Sequence, residues 1–191
     1  MSLRLVTAPT TPALSLAEAK AHLRVDSNAE DTLIESLVTA ATDMAEQQTR
    51  RALMQQTWEL TLDAFPTAFE LTRVPVQSIA SVKYTDISGV EQTLGPSAYT
   101  LDTSDGYGFA YVKHAYGTEW PSAREGVKVR YVAGYADAAA VPEPIVQWIK
   151  LMVSTMFDNR ETEAYSSRAV STTVRMQFVD RLLDRYCVGI V

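Results

Sequence analysis

The sequence is poor in the residues that most often carry chemistry. Cys187 is the one cysteine in 191 residues, which excludes a disulfide or a thiolate metal cluster within a single chain and points to a reducing compartment. The two histidines, His22 and His114, lie far apart, and neither sits in a metal-ligand spacing such as His-Glu-x-x-His. No segment stays apolar over the roughly 20 residues that cross a bilayer. The first residues, Met1-Ser-Leu-Arg-Leu-Val, lack the apolar run and small-residue cleavage site of a signal peptide, so neither secretion nor membrane insertion is expected. Positive charge is scarce as well: 17 Lys and Arg against 23 Asp and Glu leave a net charge of −6, the wrong sign for a protein that mainly coats DNA phosphates. No internal repeat and no Gly- or Pro-rich linker divides the chain, which is expected to form one composite unit.

What is present is periodicity. Residues 1–13 carry Pro9 and Pro12 among threonines and read as an extended arm, because proline fixes φ and removes a hydrogen-bond donor. Ser15 and Glu18 have capping-box spacing, and Leu16, Ala19 and Leu23 share one face, predicting a short helix that ends near Arg24. After a corner at residues 25–28, Ser27 and Glu30 repeat that spacing at the head of a long helix reaching about Met54. Its stripe is Ile34, Leu37, Val38, Ala41, Met44 and Ala45. About 24 residues at 1.5 Å rise predict a rod of roughly 36 Å.

From Gln56 the period falls from 3.6 to 2, with Trp58, Leu60 and Leu62 alternating with Thr57, Glu59, Thr61 and Asp63. Pro66 ends that strand. Further strands are expected at residues 69–74, 78–85, 90–94, 99–102, 108–114 and 127–133, separated by turn residues at Ser88-Gly89, Gly95-Pro96, Asp105-Gly106 and Trp120-Pro121. Pro142-Glu-Pro144 opens a helix to about Asn159, lined by Ile145, Trp148, Ile149, Met152, Val153 and Met156. Residues 160–175 show neither period and read as an exposed loop. A last helix from about Met176 to Tyr186 packs through Phe178, Val179, Leu182, Leu183 and Tyr186. The fold class is α+β: a helical core from residues 14–56 and 142–191, a mainly antiparallel β-rich insertion at 57–139, and the arm at 1–13.

Three constellations invite a chemical reading. Asp102-Thr-Ser-Asp105-Gly106-Tyr-Gly108 has the acids and glycines of a cation or phosphate loop, but it lacks the later Glu of a calcium loop and the Gly-Lys-Ser/Thr ending of a phosphate loop. A hairpin turn is the simpler account. A small metal-dependent nuclease built on Asp102, Asp105 or Glu119 is an alternative of a different class. Tyr107, Phe109, Tyr111, Tyr116 and Trp120, with Lys113, Arg124, Lys128 and Arg130 nearby, would suit a single-strand nucleic-acid binder. Aromatics at strand spacing more often pack a core or an interface, and the acidic total favours packing. The loop holding Arg160, Tyr165, Arg168 and Arg175 offers guanidinium groups to phosphate or to an acidic partner, and these four residues are the candidate partner contacts. No cofactor or metal site is expected.

Leu16-Ala-Glu-Ala-Lys-Ala-His-Leu-Arg24, Asp31-Thr-Leu-Ile34, Ala40-Ala41 with Glu46, and Gln55-Gln-Thr-Trp58 occur in that order. They are followed by Val132-Ala-Gly-Tyr135, Val141-Pro-Glu-Pro-Ile145 and Leu182-Leu-Asp-Arg-Tyr186. In order and spacing the chain resembles the head-to-tail connector (head-completion, adaptor) proteins of tailed double-stranded-DNA bacteriophages and prophages. The resemblance implies a structural virion-assembly protein, not an enzyme. It implies a homo-oligomeric ring of portal-matched symmetry, a dodecamer on the particle, between the portal protein and a tail-side neck protein, with DNA passing through unbound. The expected location is the virion neck, with assembly in the bacterial host cytoplasm. The family core is helical, so the sheet would be an enlargement between its second and third helices. Another neck or tail-completion protein of the same particle is the nearest alternative.

Overall fold

The computed structural model describes residues 1–104, 108–159 and 177–188. The first helix, α1 (Leu16–Leu23), starts with the expected capping box: Ser15 Oγ accepts the Glu18 N–H at 3.3 Å, and the Ser15 N–H donates to the Glu18 carboxylate at 3.0 Å. The second box does not form. The Ser27 hydroxyl accepts the Ala29 N–H at 3.1 Å in a local turn, and α2 (Asp31–Thr49) begins after Glu30 with no side-chain cap. Lys20 holds the corner instead, its ammonium donating to Asn28 at 2.7 Å and to Asp31 at 2.6 Å.

Helix α2 has 19 residues, about 28 Å of rise, and is shorter than its pattern suggests because Arg50 turns left-handed at φ 58°. Ile34, Val38, Ala41, Ala45 and Thr49 are buried, whereas Met44, expected in the stripe, is 43% exposed. Helix α3 (Glu143–Asp158) carries Pro144 in its first turn, where no hydrogen bond is lost, and buries Ile145, Val146, Trp148, Ile149 and Val153. With Leu14, Leu53 and the Val179 and Leu183 side chains of α4 (Gln177–Asp184), these residues make one helical core from both ends of the chain. Trp148 is its largest fully buried side chain.

The strands are β1 (Ser2–Thr7), β2 (Gln56–Leu62), β3 (Ala68–Glu70), β4 (Val76–Asp86), β5 (Glu91–Leu94), β6 (Tyr99–Asp102), β7 (Tyr111–His114) and β8 (Ala123–Ala133). They form a five-stranded sheet in the order β1-β2-β8-β4-β5 and a three-stranded sheet in the order β3-β7-β6, with every pair antiparallel. Residues 2–7, read from the sequence as part of the arm, form the edge strand β1, with Leu3 opposite Leu60 and Leu5 opposite Trp58. Leu60, Leu62, Val82, Val127, Val129 and Tyr131 bury one face of the large sheet with Phe69 and Val112 of the small one, giving a second apolar core. β4 and β8 run longer than expected, eleven residues each; their ladder absorbs several register shifts, so the strict alternation used to find strands breaks down at their ends. β3 is shorter, at three residues.

Residues 49–56 join the two cores. The Ala52 N–H donates to Val74 O at 2.9 Å, Arg51 Nε to Tyr186 O at 2.8 Å, and the Val188 N–H to Thr49 O at 3.1 Å. Met54 bridges Tyr135 and Arg51 bridges Val74. Gly134 makes the close approach possible: its φ is +110°, and a Cβ there would lie 2.1 Å from Met54 O. Its N–H donates to Pro75 O at 2.8 Å and its carbonyl accepts the Gln77 amide at 2.8 Å. Gly134→Ala should therefore lower unfolding free energy by about 3 kcal/mol or more. Gly117→Ala, at φ +77° with open space around it, should cost only about 1 kcal/mol. Urea denaturation of the two variants checks the contrast.

Candidate interaction surfaces

A cleft of about 510 Å³ lies between one face of α2 and the β1 edge of the large sheet. Val38, Thr39, Thr42, Asp43, Glu46 and Gln47 form the helical wall, residues 8–13 form the opposite wall, and Leu5, Met54, Gln56, Trp58 and Arg73 complete it. The two threonines present an apolar surface for a local reason. Thr39 Oγ1 donates to Glu35 O at 3.0 Å and Thr42 Oγ1 to Val38 O at 2.7 Å, so each hydroxyl is turned into its own helix. Arg73 lies over the Trp58 ring with its guanidinium carbon 5.0 Å from the centroid, and its Nη1 donates to Glu46 O at 2.9 Å.

Glu46 is the polar anchor of this cleft. Its carboxylate accepts the Leu53 N–H at 2.7 Å and the Gln56 amide at 2.8 Å. Burial raises the carboxyl above the ordinary Glu value, against the lowering pull of the Leu53 N–H, the Gln56 amide and Arg73. The group folds the chain back after α2 and lets Leu53 enter the core with its N–H satisfied.

The outer face of the large sheet is a charge lattice. Arg130 and Arg4 reach Glu59 at 2.7 and 2.8 Å, while Lys83 and Lys128 reach Glu91 at 2.8 and 3.6 Å. Lys83 and Lys128 stand directly opposite each other in the register, a repulsion that Glu91 offsets. The Arg130 and Arg4 contacts hold the Glu59 carboxyl below the ordinary Glu value, and only 12% of that side chain is exposed. At the far edge of the sheet, the β4–β5 turn presents Ile87 and Val90 to solvent, 74% and 54% exposed.

Among the described residues, those singled out by sequence do not come together as a reaction centre. Arg160, Tyr165, Arg168 and Arg175 lie outside the described residues, as do Asp105 and Tyr107. Asp102 is paired with Lys113 at 2.8 Å and accepts from Ser104, contacts that hold its carboxyl well below the usual carboxylate range. Glu119 is exposed. Among the described residues, no three His, Cys, Asp or Glu side chains gather where they could hold a metal ion. Nor is any helix among them long and apolar enough to cross a membrane.

Among the described residues, the aromatics do not form one platform. Trp120 stacks on Phe65 at 4.8 Å with His114 edge-on at 6.1 Å, Phe109 pairs with Tyr111 at 6.2 Å, and Tyr116 stands fully in solvent. The turn at Ser88-Gly89 was expected from the sequence, but its exposed apolar flanks and the cleft were not. Ile87 and Val90 flanking Ser88-Gly89 were a visible signal for the turn, whereas the cleft joins residues from four separate stretches.

An apolar-lined cleft, an apolar turn and a charged sheet face on a two-core body are the features of a protein that works through contact with other macromolecules. The chain belongs to the family of Phage gp6-like head-tail connector proteins, whose model matches residues 13–114, just over half of its length. It is a structural head–tail connector.

Its fold is similar to that of a chain in the virion of a native gene transfer agent particle (TM-score 0.79, 26% identity, covering 100% of this chain and 97% of the other). A chain in the neck of the empty gene transfer agent particle, computed with C6 symmetry, gives the same values. A chain in the neck of the native particle, computed with C12 symmetry, matches with a TM-score of 0.78 at 24% identity over the same coverage. No protein of curated function matches the chain.

Two substitutions test the electrostatics. Glu46→Ala leaves the Leu53 N–H without its acceptor and should cost about 2 kcal/mol at neutral pH. A carboxyl raised in the folded state binds its proton more tightly there, so its contribution to stability falls as pH rises through its titration; the variant should lack that slope. Glu59→Gln should cost ~0.5–1 kcal/mol at pH 7. Here the folded carboxyl is lowered, so the deficit should close as pH falls below the ordinary Glu range, where wild type loses the same stabilisation. Urea melts across pH check both signs.

Proposed function

We propose that this connector works as a closed homo-oligomeric ring in the neck of a tailed phage or phage-like particle, docked beneath the portal and offering its free side to a tail-side neck protein. The observation that carries the reading is the full-length likeness to a chain found in the neck of gene transfer agent particles. Those necks were computed with six- and twelvefold symmetry, and twelve copies satisfy both. Identical subunits that meet through two different patches form such rings when the rotation between neighbours closes.

The physical features suit that role. Two apolar cores tied through residues 49–56 give a stiff building block. A net charge of −6 repels DNA, so that DNA passes through a central channel without being held. The part played is mechanical rather than catalytic, and assembly takes place in the bacterial host cytoplasm. In this reading residues 14–56 and 142–191 are the ring-building helical core, 57–139 is an insertion, and the part of the arm that lies outside β1 (residues 8–13) and the loop (160–175) dock partners, with Arg160, Tyr165, Arg168 and Arg175 at the contacts.

Particles assembled without this chain should accumulate as DNA-filled heads lacking tails, and the wild-type gene supplied in trans should restore joined particles in electron micrographs. Deleting residues 160–175 should abolish the rescue. Normal head–tail joining without the chain would overturn the neck reading, and full rescue by the deletion variant would overturn the docking role of the loop.

A further inference from the structure

We propose that the Ile87–Val90 turn of one copy inserts into the cleft between α2 and the β1 edge of the next copy, making this the repeating contact of the ring. The inference rests on the ring reading and adds the two surfaces that build it.

The turn is shaped as a rigid knob. Asp86 Oδ1 accepts the N–H groups of Ser88 at 2.8 Å and Val90 at 3.0 Å, and Oδ2 accepts the Gln92 amide at 2.9 Å. The Asp86 N–H donates to Val90 O at 2.9 Å, the Gly89 N–H donates to Asp86 O at 3.0 Å, and Gly89 takes φ +82°. A turn so fully hydrogen-bonded has little freedom left to lose on binding. It holds two branched aliphatic side chains largely in water, Ile87 74% and Val90 54% exposed.

The cleft is the matching hole. Its 510 Å³ falls within the roughly 300–1,000 Å³ of clefts that bind side chains or small ligands. Leu5, Val38, Met54, Trp58 and the arm prolines supply apolar lining, and Asp43 stands exposed on its rim. Beside the knob, Arg124 is exposed, with Nη1 3.9 Å from where a Gly89 Cβ would be. Arg124 beside the knob and Asp43 on the rim form one pair of opposite charge between the two surfaces, which favours one orientation of docking.

Position decides that the two meet between copies. The cleft lies at the β1 edge and the turn at the β5 edge, four strand spacings away, or roughly 19 Å. Along the strands, Gln56 of the cleft lies level with Ala133 and Val76, whereas the turn follows Asp86 at the far end of β4, a further 33 Å or so. Diagonally opposite corners cannot touch within one chain, and two different patches on identical subunits make a contact that repeats around a ring.

The test is a cysteine pair, Ile87→Cys with Thr42→Cys, in a Cys187→Ser background, oxidised in tailed particles assembled with this chain. A ladder of covalent multimers in the double variant, absent from either single variant, is the expected result. Particles that contain the chain but show no intersubunit bond would overturn the contact while leaving the ring reading intact. Particles that contain no copy of the chain would overturn both. As a second arm, Ile87→Asp with Val90→Asp should leave the purified chain folded by circular dichroism, since both sites are exposed, yet reduce its incorporation into particles at least tenfold. Incorporation at the wild-type level would also overturn the proposal.

Discussion

The carboxylate of Glu46 and the left-handed turn at Arg50 are the constraint on which the rest of this structure depends. Together they stop α2, swing the chain back, and deliver residues 51–56 to the sheet with the Leu53 N–H and the Gln56 amide already accepted. Several later contacts use that short segment: Ala52 with Val74, Met54 with Tyr135, and Arg51 with the carbonyl of Tyr186. A polar group kept in a partly apolar place costs desolvation, and the raised Glu46 carboxyl is the sign of it. The cost is offset because an unsatisfied backbone donor at the same point would cost as much or more.

The joint ties two apolar cores together within one chain. The helical core takes residues from both ends of the sequence, and Val188, beyond α4, is buried in the sheet core. Beginning, middle and end are each tied to the others, so force applied to the sheet passes to the helices through packed atoms and not through a linker. A connector that carries load between a head and a tail needs that stiffness. The outer sheet face fits the same account: Glu59 and Glu91 each sit between two cations, which keeps the face open, polar and protected from collapse onto another sheet.

Much of the architecture was legible in the sequence. The Ser15 capping box, the stripe of α2, the proline-led start of α3 and the switch of period at Gln56 appear where the pattern put them, because each depends on residues within a turn or two of each other. The misreadings have a common cause. Ser27 spent its hydroxyl on Ala29, Met44 kept the helical period yet stays 43% exposed, and Leu3 and Leu5 alternate like a strand but stand beside the prolines that follow. In each case the deciding partner was a competing local bond or a distant element that spacing does not reveal.

By itself the sequence determined that this is an α+β chain whose helices flank a run of strands, without a cysteine framework or a histidine metal motif, and with the ordered motifs of a connector. Those properties follow from local periodicity and composition. Only the tertiary structure decided that β1 closes one edge of the sheet, that Glu46 satisfies the backbone seven residues on, and that a cleft and a knob stand at opposite corners. Such features are assembled from residues tens of positions apart, and their geometry exists only once the two cores have packed.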